Sequence, residues 1–183
     1  MSSNLGGWLP IEPHEIILEG FDGSVKFVVD SVISDEINRR HDALGMTTSV
    51  QVDRCDSSPT FEVTAIHAMY GSLTSVYQQV HAFTTGHTSL VTIKAVGFRM
   101  RMYHHEFGSR SGICVSGDIS DVIESKNFPW PEQDIGDRLL LERRSAFHLR
   151  FGFRTSLVDP PHVKNFEEGL LKLLRHLQAI GCA

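Results

Sequence analysis

Ten histidines among 183 residues raise metal chemistry first, because imidazoles joined by a carboxylate are ordinary zinc ligands. The densest group is His104-His105-Glu106. It falls where a strand is expected to feed into a loop. Adjacent strand residues point to opposite faces, so His104 and His105 are poorly placed to hold one ion. His67 and His81 fall far apart on the helix expected in mid-chain, and neither H-x-x-x-H nor H-E-x-x-H spacing occurs. No metal or cofactor is expected.

Nucleophile chemistry finds equally little support. There is no G-x-S-x-G elbow, and Cys114 lies between Ile113 and Val115 in an expected strand, where a buried, inert thiol is the natural reading. The polar loop Gly108-Ser109-Arg110-Ser111-Gly112 could wrap an anion but matches no phosphate-binding pattern. Asp118, Asp121 and Glu124 follow one another closely after a strand, yet paired carboxylates do acid–base work only where their environments differ. No catalytic residue is assigned.

The stronger constellation is a sheet face. Phe98-Arg99-Met100-Arg101-Met102-Tyr103 alternates apolar with mostly polar residues, the period of a strand with one buried side. If the apolar set packs inward, Arg99, Arg101 and Tyr103 project outward. In a later segment Phe147, Leu149, Phe151 and Phe153 face one way, and His148, Arg150, Gly152 and Arg154 the other. Should the two strands lie near each other, Arg99, Arg101, Tyr103, His148, Arg150 and Arg154 would form one binding face. Arginine and tyrosine are enriched at contact surfaces, since each joins a large area to directed hydrogen bonds.

The elements that must carry this face can be read from periodicity. Residues 1–14, with Gly6-Gly7, Pro10 and Pro13, are expected to form a loosely held arm, and Ile16-Ile17-Leu18 a short strand. Phe21-Asp22-Gly23-Ser24 signals a turn before a strand over Val25–Val29. Ser34 to Gly45 could hold a short helix, Val50 and Val52 belong to another strand, and Phe61 to Thr64 is briefly extended. Met69, Leu73, Val76, Tyr77, Val80 and Phe83 mark one face of a helix that Gly86 stops. Strands are expected from Leu90 to Val96, at Phe98 to Tyr103, at Ile113 to Ile119 and from Phe147 to Arg154, with residues 124–138 irregular. Asp159-Pro160-Pro161 opens a last helix, with Val163, Phe166, Leu170, Leu173, Leu174 and Leu177 buried and Gly181 at its end. Short connections between successive strands exclude parallel neighbours. The expected fold is therefore α+β, an antiparallel β-sheet packed against two amphipathic helices, in a single domain over 1–183.

Composition narrows the function classes. Residues 1–91 carry four Lys/Arg against eleven Asp/Glu, and residues 92–183 carry thirteen against eleven; the balances of −7 and +2 give the net charge of −5. A nucleic-acid binder would be more basic. No run approaches the roughly 18 apolar residues of a membrane span. The three cysteines, Cys55, Cys114 and Cys182, form no C-x-x-C pair, which suits a reducing, cytoplasmic setting.

Four stretches together resemble small bacterial immunity-protein families of the WapI type: Ser72–Thr85, Gly112–Ser120, Leu149-Arg150-Phe151-Gly152-Phe153, and Asp159 through Leu177. The leading arm and Pro129-Trp130-Pro131 have no counterpart in that pattern. The resemblance implies a non-enzymatic domain that binds and masks a toxin, with no catalytic residues to carry over. An acidic first half would steer a basic partner, through positions such as Asp53 and Asp56. The alternative expectation is a small-molecule or anion site, or an unrecognised enzyme, in which the arginines line an enclosed pocket between sheet and helices.

Overall fold

The computed structural model describes residues 8–35, 40–52, 61–70, 73–107, 110–120, 122–126 and 150–180. Their order is β1 (Trp8–Gly20), β2 (Gly23–Asp35), β3 (Arg40–Val52), β4 (Phe61–Tyr70), α1 (Leu73–Thr84), β5 (Leu90–Ala95), β6 (Phe98–Phe107), β7 (Arg110–Ser120), β8 (Val122–Lys126), β9 (Arg150–Val158) and α2 (Pro160–Ala179). The strands form two antiparallel sheets, β1-β2-β3-β4-β8 and β5-β6-β7-β9. The fold is α+β, and the expected antiparallel sheet is divided in two. The chain crosses from the second sheet back to the first between Ser120 and Val122.

Alternation along the strands builds the core. Leu18, Val25, Val50 and Val63 stand opposite one another across four strands of the first sheet, and all four are buried. In the second sheet Val91, Met102 and Val115 do the same. The next core-facing row there runs Ile93, Met100, Gly117, Phe153. A Cβ on Gly117 would come within 2.6 Å of the Phe153 ring, so a residue without a side chain lets the ring lie across the strand. Phe27 joins the layers, edge-on to Phe98 of the second sheet at 5.5 Å between centroids and tilted against Phe166 of α2 at 5.9 Å. Each fully buried side chain of this kind contributes about 2–3 kcal/mol.

The last helix forms as its spacing requires. Asp159 precedes Pro160-Pro161, and the buried residues are Val163, Phe166, Leu170, Leu173, Leu174 and Leu177. Close approach to β1 is allowed by Gly169, where a Cβ would meet Ile16 Cγ2 at 2.9 Å. The first helix buries Leu73, Val80 and Phe83 and ends at Gly86, whose φ of 77° is the left-handed conformation glycine takes without a steric penalty.

Several expectations change. The strand expected at Ile16 begins at Trp8, so Trp8 to Pro10 and His14 of the expected arm pair with β2, with an irregularity between Pro10 and His14; residues 1–7 lie outside the described residues. Ser34-Asp35 and Arg40–Gly45 belong to strands rather than to a short helix, because the thin apolar stripe there is satisfied by pairing with flanking strands. Met69 and His67 belong to β4, which runs on to Tyr70 before α1 starts at Leu73. Arg110 to Gly112 are part of β7 and not of a loop, and His104-His105-Glu106 lie within β6. Residues 124–126 of the expected irregular segment belong to β8, which pairs with β4.

Candidate arginine face of the second sheet

Register settles which side chains meet. Arg101 on β6 stands opposite Ser116 on β7, and Arg154 on β9 stands opposite the same Ser116 from the other side. The neighbouring row is Lys94, Arg99, Asp118 and Gly152; on the other flank Leu90, Tyr103 and Cys114 align. Met100, Met102, Val115 and Phe153 fill the alternate positions and are buried, so these three rows form the face turned away from the core. Arg99, Arg101, Gly152 and Arg154 are exposed there, and Tyr103 is half-buried.

The two strands expected to share the face are thus brought together, with β7 between them. Arg150 is opposite Ser120 in the same register. His148 lies outside the described residues. Sequence reading missed the contributions of β7, because Ser116 and Asp118 carry no signal until a strand is placed on either side.

Four cations, Lys94, Arg99, Arg101 and Arg154, face one carboxylate, Asp118, among the described side chains of these rows. Arg101 and Arg154 have no carboxylate partner among the described residues. Arg154 instead donates from Nε to Cys114 Sγ at 3.5 Å. This hydrogen bond, with the nearby sulfur and the Tyr103 phenol, raises the guanidinium further above its ordinary value. Cys114 is fully buried although it belongs to the outward rows. Tyr103 meets His105 edge-on at 6.2 Å, extending the face with a second ring.

The other expected chemistry is not assembled. Among the described residues no three His, Cys, Asp or Glu groups converge as metal ligands. His104 stacks on Phe83 at 4.7 Å while His105 turns to Tyr103, so the two neighbours part as strand geometry demands. Asp118 is in the second sheet and Glu124 in the first; Asp121 lies outside the described residues. An arginine-lined pocket between sheet and helices is not found among the described residues. The space there is a cavity of about 20 Å³ lined by apolar side chains including Phe27, Met46 and Phe166. Asp53 and Asp56, on which steering of a basic partner rests, lie outside the described residues.

Two features escaped sequence reading. His14 and His176 pack ring to ring at 4.4 Å, with His14 Nε2 buried and unpaired among the described residues. A groove of about 330 Å³ runs between β1 and α2, past Glu15, Glu19, His162 and Glu168; Glu15 pairs with Lys26, and Glu19 with His162. None of the described helices is long and apolar enough to cross a membrane. No protein-family model, curated protein or solved structure matches this chain.

Proposed function

We propose that the chain is a non-enzymatic protein-binding domain whose contact surface is the outward face of the second sheet. The observation that carries this reading is the row in which Arg101 and Arg154 flank Ser116, exposed and without carboxylate partners among the described residues. Cations with no carboxylate partner among the described residues are available to a partner without breaking an ion pair there. The aromatic neighbours Tyr103 and His105 add the contact area that binding surfaces use. The mode of action is the one implied by the resemblance to immunity proteins of the WapI type: a toxin or similar effector is covered, not chemically altered.

An open face favours a macromolecule over a small anionic ligand, since small ligands are held in concave sites that bury most of their surface. The test is capture of partners from native lysate by tagged wild type, by the Arg101→Glu/Arg154→Glu double variant, and by Lys172→Glu on α2 as control. A stoichiometric protein retained by wild type and control but lost from the double variant is the expected result. The same protein retained equally by all three would refute the assignment of the surface.

A further inference from the structure

The outward face is not flat. Strand spacing puts the Cα atoms of Arg101 and Arg154 about 10 Å apart, with a single strand between them. The residue in the middle is Ser116, one of the shortest side chains, and diagonal to it on β9 is Gly152. Among the described residues a Cβ on Gly152 would meet nothing nearer than the Gly117 carbonyl oxygen at 4.0 Å, and Gly152 is exposed. Long side chains thus stand on either side of β7, Arg99 and Arg101 on β6 and Arg154 on β9; the strip between them is low at Ser116, and Asp118 stands in it beside Arg99, leaving cations in excess. Tyr103 continues the β6 side, opposite Cys114. The hydrogen bond to Cys114 anchors Arg154 at Nε, and its terminal nitrogens have no acceptor among the described residues.

We infer that this trough receives an extended, carboxylate-bearing segment of a protein partner, with Ser116 and Gly152 as its floor and Arg101 and Arg154 as its clamps. The inference rests on the proposed binding face and names what that face holds. Guanidinium forks match carboxylates in planar, paired hydrogen bonds. Charge distribution favours a short acidic segment over a nucleic-acid strand. The cations are local, whereas the chain carries −5 overall and −7 in its first half, which repels a long polyanion. Gly152 has a role here that packing does not require of it, since a side chain could be accommodated without a clash.

The test is titration of the isotope-labelled full chain with a hexaglutamate peptide, followed by amide shifts, beside an oligothymidylate of matching charge. The peptide is expected to move the Ser116 and Gly152 amides saturably, and Gly152→Glu to weaken it about tenfold by adding a second carboxylate beside Asp118. Arg101→Gln, which leaves the trough open, is the second variant and is expected to weaken binding similarly, and Gly152→Ser to preserve it. Tighter binding of the oligothymidylate at the same amides overturns the inference in favour of a nucleic-acid face. Unmoved amides, or full binding by folded Gly152→Glu and Arg101→Gln, overturn it as well. If the captured partner still depends on Arg101 and Arg154 in that event, the trough fails and the binding face survives; if it does not, both fail.

Discussion

His81 on α1 and Glu167 on α2 meet at 2.6 Å, imidazole Nδ1 to carboxylate Oε1, and the second carboxylate oxygen accepts from the Thr84 hydroxyl at 2.7 Å. One carboxylate thereby ties the end of the first helix to the middle of the second. Partial burial pushes the Glu167 pKa up, but the hydrogen bonds from Thr84 and His81, with the charges of His81 and Lys164, outweigh it and hold the group below its ordinary 4.5. A lowered folded-state value contributes stability above the unfolded value, and that contribution is lost as pH falls through the folded value. Glu167→Gln is therefore expected to cost about 1 kcal/mol at neutral pH. Urea unfolding at several pH values should show the gap between wild type and variant closing once the pH drops below 4.5. A gap that is constant with pH would contradict this account.

Thr48 is fully buried on the core side of the first sheet, in the row with Ile16, Phe27 and Ala65, and its hydroxyl has no partner among the described residues. A buried polar group without a hydrogen bond costs about 1–3 kcal/mol. Thr48→Val keeps the shape and removes the hydroxyl, so the urea midpoint should rise by the equivalent of about 1 kcal/mol with an unchanged slope. A fall in the midpoint would mean that the hydroxyl is satisfied.

Cys114 gives a direct reading of the order on the arginine face. It is fully buried and takes a hydrogen bond from Arg154. Alkylation followed by mass spectrometry of the Cys114 peptide should find the thiol protected in the folded chain. Arg154→Ala should speed its modification without lowering the melting temperature appreciably. Equal protection in both forms would show that Arg154 is no part of the cover.

Arg101→Gln/Arg154→Gln should leave folding within about 0.5 kcal/mol of wild type, as exposed substitutions generally do. Its effect belongs to binding. With a captured partner, wild-type affinity should fall as salt rises, and the variant should bind more weakly with a flatter dependence, because charge pairs between exposed groups are screened. Parallel salt curves would place the partner elsewhere on the surface.

What the sequence determined by itself is what depends on near neighbours in the chain. The stripe from Val163 to Leu177 specifies α2 because helix spacing brings those six side chains to one side whatever lies beyond. The alternation through Phe98 to Tyr103 likewise places Arg99 and Arg101 opposite Met100 and Met102 in any strand. Ser34-Asp35 and Arg40 to Gly45 defeated local reading because a sparse apolar pattern fits either helix or strand, and strand pairing decided between them, Asp35 with Arg40 and Ala43 with Ile33 and Tyr70. Tertiary structure alone divided the strands into two sheets, since pairing partners are chosen by contacts across many residues. It alone set Arg101 and Arg154 on either side of Ser116, because a one-residue slip of either strand would turn its arginine into the core.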